Sequence, residues 1–214
     1  MREVAIIVAH ADDETLGSGG TIVKMLRNGW RVSVVVFSDT YRFAGNGVCN
    51  REGLERACRI LGVQELHVLD VPDQQFDTIP MAVFAQKLMD LKLTPDLIIT
   101  HADTDLNLDH RIACDAAKIL GRPRRKPISI LACESPSASF WNGHAFQANY
   151  FVDISESVEL KVQAFEQYVY EIQKFPNPWS AEGLRLLAQY HGMQCGFQYA
   201  EAFSVIRGYQ GGLL

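Results

Sequence analysis

Four ionisable side chains lie within five positions near the start of the sequence, directly after an apolar run at residues 4–9. They are His10, Asp12, Asp13 and Glu14. Removing so many ionisable groups from water is costly unless a cation or a reaction uses them. Imidazole and carboxylate groups are ligands of catalytic zinc, which takes three protein ligands and keeps a fourth position open. The stretch therefore predicts metal-dependent chemistry.

A second segment of similar composition, residues 101–110, reads His-Ala-Asp-Thr-Asp-Leu-Asn-Leu-Asp-His. His10 and Asp13 can supply two metal ligands from one turn, and His110 can supply a third from this second segment. Asp12 would then lie beside the metal, as a candidate base for a water molecule whose pKa the cation has lowered. The two segments together predict a hydrolytic metal site.

The rest of the sequence alternates strands and helices that would position these two segments. Apolar runs predict strands at residues 4–9, 31–38, 65–71, 95–100, 128–133 and 149–154. Helical periodicity predicts helices at residues 21–28, 51–61, 79–93, 112–120, 156–173 and 181–194. This order predicts an α/β fold, a Rossmann-like, doubly wound, mostly parallel sheet with a C-terminal helical elaboration.

Both metal segments are expected to meet in one crevice. In an open α/β sheet, ligands bind beyond the carboxyl ends of the strands, and the two segments follow the first and fourth predicted strands. Because the sequence shows no repeat or interdomain linker, residues 1–214 are predicted to form a single domain. Residues 39–50 and 134–148 lack periodicity and are expected to shape the pocket. Aromatic side chains in the loops could stack on a sugar ring or serve ordinary packing: Tyr41, Phe43, Trp141 and Trp179.

Composition excludes several classes of partner. The net charge of -5 disfavours binding to nucleic acid, and the basic cluster at residues 122–126 is best explained as a solvated turn. No apolar run is long enough for a membrane span, and no secretory apolar region opens the sequence. The 5 cysteines form no CxxC pair, which is typical of free thiols in a reducing compartment. We therefore expect a cytoplasmic protein that binds a small molecule.

Two other interpretations of the motifs are weaker. The glycines at residues 17–20 lack the third glycine of a dinucleotide-binding loop, which would fall at Ile22, and carboxylates beside them would repel a pyrophosphate. Residues 103–109 imitate the start of a calcium loop, but Leu108 replaces the required glycine and Cys114 replaces the final glutamate. The glycines are better explained by close packing of the following helix against the sheet.

The motifs resemble those of one known family. Residues 9–14, Ala-His-Ala-Asp-Asp-Glu, are similar to the Ala-His-Pro-Asp-Asp-Glu signature of the PIG-L/LmbE-type zinc-dependent deacetylases, although alanine replaces the proline. Residues 106–110, Leu-Asn-Leu-Asp-His, resemble the second metal segment of that family. Residues 17–20, Arg51 at the start of a helix, and residues 72–73 after the third strand also match its layout. The resemblance covers nearly the whole sequence.

This resemblance implies a metal-dependent hydrolase that removes an N-acetyl group from a small amino sugar or a sugar conjugate. It implies Zn²⁺, with iron, cobalt and manganese as other divalent candidates. The implied metal ligands are His10, Asp13 and His110. Asp12 would be the general base. The candidate substrate contacts are Arg51, Asp73 and His101.

Asn107 is where the sequence departs from the family pattern. Much of the family has histidine at this position, acting as acid or oxyanion stabiliser and oriented by the aspartate that corresponds to Asp109. Asn107 and Asp109 are therefore catalytic candidates, but an amide can only donate a hydrogen bond to an oxyanion and cannot protonate a leaving amine. The candidate proton donors left open are Asp12 after it has acted as base, His101, His144 and His191.

Two alternatives to deacetylation follow from the sequence. The same fold could hydrolyse a non-acetyl amide, or Asn107 could mark a non-catalytic member that only binds a ligand. A homo-oligomer is also compatible with the sequence.

Overall fold

The computed structural model describes residues 1–41, 48–123, 126–136 and 138–209. Its strands are β1 Glu3–His10, β2 Arg31–Ser38, β3 Thr40–Tyr41, β4 Val48–Cys49, β5 Glu65–Val68, β6 Leu97–His101, β7 Ser129–Cys133, β8 Tyr150–Asp153 and β9 Ala200–Arg207. Its α-helices are α1 Asp13–Arg27, α2 Arg51–Leu61, α3 Met81–Asp90, α4 Leu108–Leu120, α5 Ala138–Trp141, α6 Val158–Phe165 and α7 Ala181–Cys195. A short 3₁₀ turn spans Phe76–Thr78. The predictions for Phe43 and for part of the basic cluster lie outside the described residues.

Seven strands form one sheet in the order β5-β2-β1-β6-β7-β9-β8. Strands β5, β2, β1, β6 and β7 run parallel, and β9 runs antiparallel to both β7 and β8. The chain builds outward from β1 first on one side, through β2 and β5, and then on the other side from β6. The predicted doubly wound, mostly parallel α/β fold is confirmed, with its switch point between β1 and β6.

The central strand alternates its side chains between two apolar layers. Ile6 of β1 lies in a buried cluster with Ile22 of α1 and Phe165 of α6. Its neighbour Ile7 lies in a second buried cluster with Phe84 of α3. Helices therefore cover both faces, and polar side chains at the ends of the strands remain available for a site. Within the described ranges, no helix is both long and apolar enough to cross a membrane.

Helix α1 begins eight residues before the predicted helix at 21–28, and it is broken at Ser18, whose φ is -150°. A Cβ atom at Gly17 would lie 2.5 Å from Cys133 Sγ, and one at Gly20 would lie 2.8 Å from the side chain of Ile154. Only glycine allows α1 to approach so closely. The predicted role of these glycines in packing is confirmed.

In the C-terminal part, one prediction is wrong and one strand is not predicted. The helix predicted over residues 156–173 ends at Phe165, and turns follow it; the buried Tyr168 hydroxyl in these turns donates to the Glu14 carboxylate. This tertiary contact competes successfully with local helix propensity. The sequence analysis also does not predict strand β9, whose apolar residues are separated by Glu201 near its start and by Ser204.

Several other boundaries differ from the predictions; for example, α4 begins at Leu108, four residues before its predicted start. The irregular residues 39–50 include the short antiparallel pair β3 and β4. The irregular residues 134–148 include helix α5. The strand predicted at 65–71 is shorter, and its last three residues belong to the loop that approaches the candidate site.

Candidate metal centre and active site

The two metal segments lie at the carboxyl ends of adjacent parallel strands. His10 is the last residue of β1, and Asp13 begins α1. His101 is the last residue of β6, and His110 lies in the first turn of α4. Because β1 and β6 are neighbours, their ends lie together at the switch point.

Three of these side chains have the spacing of a tetrahedral metal site. His10 Nδ1 lies 3.3 Å from His110 Nε2 and 3.5 Å from Asp13 Oδ2. His110 Nε2 lies 3.5 Å from the same Asp13 oxygen. Bonds of about 2.0–2.1 Å to a tetrahedral zinc separate the ligand atoms by about 3.3–3.4 Å. The structure therefore brings together a triad that fits a divalent ion, and we call it the metal triad.

Carboxylates contact the other ring nitrogen of each histidine. His10 Nε2 lies 3.1 Å from Asp73 Oδ1 and 3.2 Å from Asp109 Oδ2. His110 Nδ1 lies 3.1 Å from Asp105 Oδ2. Two further clusters could in principle hold an ion: His101 with Asp105 and His110, and His10 with Asp73 and Asp109. Their carboxylates are better suited to orienting the imidazoles, a common arrangement around metal-binding histidines.

Asp109 is itself fixed by backbone amides. Its carboxylate accepts hydrogen bonds from Gln74 N at 2.7 Å and from Phe76 N at 3.3 Å. The Asn107 side chain caps α4 by accepting a bond from Asp109 N at 2.9 Å. The Asn107 oxygen is therefore engaged in the cap, and only its amide nitrogen can donate to a ligand.

The electrostatics of the centre favour positive charge. Burial alone would lower the pKa of His10, yet hydrogen bonds to Asp109, Asp13 and Asp73 raise it well above its usual value. The same negative field that holds a proton on an imidazole attracts a divalent cation.

Asp12 occupies a strained position beside the metal triad. Its φ is 127°, a region that side-chain-bearing residues rarely adopt, and its backbone amide donates to Glu14 Oε2 at 3.1 Å. The side chain is only 6% exposed. Burial raises the pKa of Asp12 well above its usual range, and the negative charges of Asp13 and Glu171 add to this. Such strain at a cavity wall is typical of functional sites.

A cavity of about 450 Å³ opens beside the metal triad. Its polar lining residues are His10, Asp12, Asp13, Asp39, Thr40, Asn50, Asp73, Gln74, Asn107, His110, Ser135 and Glu171. Trp141 and Trp179 supply aromatic surface. Among the described residues that line it there is no lysine or arginine, so the cavity suits an uncharged or cationic molecule better than an anion.

Two of the predicted substrate contacts lie away from this lining. The Arg51 guanidinium donates to Asp39 Oδ2 and to Asp70 Oδ1, and only Asp39 faces the cavity. His101 is fully buried; its Nε2 accepts a bond from Ala9 N at 3.0 Å and lies 3.3 Å from Asp13 Oδ2. His101 therefore packs against the buried side of the metal triad and cannot touch a substrate. Asp73 lines the cavity but is also directed at His10.

The histidines proposed as proton donors are poorly placed. His101 is buried beneath the triad, with its ring stacked on that of His110. His144 and His191 line a separate cavity. His191 Nε2 is paired with Glu134 Oε2 at 2.8 Å.

Glu171 is a cavity residue that the sequence motifs do not indicate. Its side chain lines the cavity, the residue is 4% exposed, and one carboxylate oxygen accepts a hydrogen bond from Asn50 Nδ2 at 2.8 Å. It reaches the site only because α6 ends at Phe165 and the following turns bring residue 171 back to the cavity. No local signal in the sequence marks this turn.

Comparison with known proteins decides the family. The model of the family described as PIG-L, GlcNAc-PI de-N-acetylase, matches residues 5–120, which include both metal segments. The chain belongs to the PIG-L family. The predicted resemblance is thus confirmed.

The chain is also similar to individual proteins, in sequence or in fold. It is 26% identical to the diacetylchitobiose deacetylase of Thermococcus kodakarensis, over 97% of this chain and 84% of the relative. Among solved structures, the N,N'-diacetylchitobiose deacetylase of Pyrococcus horikoshii has a TM-score of 0.78 at 23% identity, covering 96% of this chain and 84% of that one. GalB, the 4-carboxy-2-hydroxymuconate hydratase of Pseudomonas putida, has a TM-score of 0.79 at 20% identity, covering 98% of both chains. The two structural likenesses establish the fold alone.

Proposed function

We propose that this member of the PIG-L family is a metal-dependent hydrolase that removes an N-acetyl group from a small amino sugar or its conjugate. The observation that carries the proposal is the metal triad, His10, Asp13 and His110, spaced for a tetrahedral ion at a cavity that also exposes Asp12. A bound divalent ion would supply Lewis acidity, which polarises an amide carbonyl and lowers the pKa of a water molecule.

The chain's own residues would divide the remaining work. Asp12 takes a proton from the attacking water, as its position beside the metal triad allows. The Asn107 amide nitrogen is available to donate to the carbonyl oxygen as negative charge develops there. Asp109 and Asp105 keep the two imidazoles in fixed orientation and are positioning residues. The family motif assigns this aspartate to orienting the residue at position 107, and we propose that Asp109 orients His10 instead.

An acetylated sugar is supported by the cavity and by the relatives. Trp141 and Trp179 offer aromatic faces of the kind that stack on sugar rings, and the carboxylates and amides can accept or donate bonds to hydroxyl groups. The relative from Thermococcus kodakarensis is a diacetylchitobiose deacetylase. The excess of carboxylates in the lining makes a phosphate-bearing sugar a poor substrate.

We infer zinc as the native ion, because two imidazoles and one carboxylate form a usual catalytic zinc set. We also infer that residues 1–214 act as one domain, since residues from both the family-matched part and the later turns line one cavity. All five cysteines are free thiols, which supports a reducing compartment such as the cytoplasm.

Acetate release combined with metal analysis tests the proposal. Purified protein should carry about one divalent ion per chain, release acetate from N-acetylglucosamine or N,N'-diacetylchitobiose, and lose this activity on chelation. An unrelated N-formyl amine serves as the comparison substrate. If the protein hydrolyses only the N-formyl amine, the group removed is formyl and not acetyl. A bound ion with turnover of neither amide would favour the non-catalytic alternative.

A further inference from the structure

Hydrolysis of an amide needs a group that protonates the departing nitrogen, since an amine anion is not expelled in water. Asn107 cannot do this, because an amide has no acidic proton. Of the proton donors that the sequence leaves open, the histidines are poorly placed, and Asp12 already takes the proton of water. The described lining of the cavity holds one further carboxyl that could carry the acid role separately.

Most other ionisable groups of the lining are already engaged. His10 and His110 belong to the metal triad, and Asp73 lies 3.1 Å from His10 Nε2. Asp39 accepts a hydrogen bond from the Arg51 guanidinium. Apart from Asp12, the proposed base, Glu171 is the remaining carboxyl of the lining that contacts neither the metal triad nor an arginine or lysine among the described residues.

We infer that Glu171 is a catalytic residue, the general acid that delivers a proton to the leaving amine nitrogen. This inference rests on the proposed function. In the step, water adds to the acetyl carbon and gives one proton to Asp12. The C–N bond then breaks as its electron pair takes the proton of the Glu171 carboxyl, which yields the free amine and acetic acid, and the acid ionises in water. Solvent returns the proton from Asp12 to Glu171.

The surroundings of Glu171 favour the protonated acid. Burial raises the pKa of Glu171; the hydrogen bond from Asn50 opposes this, and the negative charges of Asp13 and Asp73 add to it. The positive charge of His10 opposes the rise, and its effect on the pKa is smaller than that of Asp13 but larger than that of Asp73. The Asn50 bond engages one carboxylate oxygen, so the other oxygen can carry the proton.

A pair of substrates separates a general acid from a residue that only binds or positions the substrate. An N-acetyl amino sugar requires protonation of its leaving nitrogen, whereas 4-nitrophenyl acetate releases a phenolate that needs no proton. Glu171→Gln keeps the size of the side chain, and its amide oxygen can still accept the bond from Asn50. We expect acetate release from the amide to fall about 10²–10⁴-fold and ester turnover to change by less than about threefold.

Glu166→Gln provides the matched control, because Glu166 lies in the same stretch after α6 and is exposed. It should leave both activities unchanged. Asp12→Asn should abolish both, which shows that the ester is hydrolysed at the same site. Melting temperature and metal content, measured for each variant, verify that Glu171→Gln is folded and binds its metal ion.

Three outcomes overturn the inference. Equal losses on amide and ester in Glu171→Gln make Glu171 a binding or structural residue. Unchanged amide turnover removes it from the reaction. If the unaltered protein hydrolyses the ester but no N-acetyl sugar, the proposed function fails and the acid role fails with it.

Discussion

At the scale of single residues, Asp12 combines backbone strain with burial beside the metal triad. A residue with φ of 127° is kept in place by surrounding contacts, here the bond from its amide to the Glu14 carboxylate and the bond from Tyr168 to Glu14. Strain that persists in a catalytic loop points to a requirement for a particular side-chain direction. This requirement can be tested without disturbing the backbone, because asparagine has nearly the shape of aspartate and also tolerates positive φ.

Asp12→Asn should lower kcat for acetate release by about 10²–10⁴-fold, because the amide cannot accept the proton of water. Metal content should stay the same, since Asp12 is not in the metal triad. Metal stoichiometry and initial rates measured on the same preparation check both statements. Asp13→Asn is the control at the neighbouring position and should lose metal and activity together. Full turnover in Asp12→Asn would remove Asp12 as the base.

Asp109→Asn should weaken metal affinity about 10–100-fold, because the carboxylate that orients His10 through Nε2 loses its charge. The check is a competition titration with a zinc indicator. Asp103→Asn is the control, because Asp103 is exposed and paired only with Lys118 among the described residues. If Asp109→Asn stays inactive even at saturating metal, Asp109 acts on the substrate and not through His10.

The site residues differ in how far the sequence can predict them. His10, Asp12 and Asp13 are close in sequence, so one motif indicates all three. His101 belongs to the second motif, yet its burial and its bond from Ala9 N depend on the sheet register and cannot be seen in the sequence. Glu171 depends on a turn that tertiary contacts impose. Residues that are close only in space are therefore the ones the sequence misses.

At the scale of elements, a buried ion pair from the C-terminal half bonds the backbone groups on both sides of the break in α1. Lys161 of α6 donates to Leu16 O at 2.8 Å, which satisfies a carbonyl before the break. Glu201 of β9 accepts bonds from Gly20 N at 2.9 Å and Thr21 N at 2.7 Å, which satisfies the amides after it. Lys161 and Glu201 pair at 2.6 Å. The pair thus connects α6 and β9 to the helix that begins with Asp13, a proposed metal ligand.

Lys161→Met should lower the free energy of unfolding by about 3–5 kcal/mol, because Glu201 is left buried with its charge uncompensated. Urea denaturation measures the change. Arg185→Met is the matched control, since Arg185 pairs with Glu159 at the surface, and it should cost only about 0–1 kcal/mol. The double variant K161M/E201Q should lose less than the sum of the single losses. Strict additivity would show that the two groups do not act as a pair.

The same pair explains why the C-terminal elements are hard to predict. Glu201 is charged yet buried near the start of β9, and Ser204 divides the remaining apolar residues, so the strand lacks the continuous apolar run of a buried strand. Its stabilising partner Lys161 is 40 residues away. By contrast, β1 has a continuous apolar run and β2 is largely apolar, and both are predicted almost to their ends. Local pattern suffices for the parallel core, whereas the added antiparallel strands depend on long-range contacts.

At the scale of the whole molecule, the metal triad joins two halves of the doubly wound sheet. His10 and Asp13 belong to the first half, which builds from β1 through β2 to β5, and His110 belongs to the helix that follows β6. An ion bound by all three side chains connects these halves in the folded state only. Binding should therefore stabilise the whole fold and not just the loops that hold the ligands.

Zinc should raise the melting temperature of metal-free protein in a concentration-dependent way. At 100 times Kd, ligand binding contributes about 2.7 kcal/mol, which for a chain of this size corresponds to an increase of about 5–10 °C. Differential scanning fluorimetry after chelation, with zinc added back, measures the shift. His110→Ala should abolish the shift, because only two members of the metal triad remain. An equal shift in that variant would locate the zinc elsewhere, for instance at the exposed thiol of Cys49.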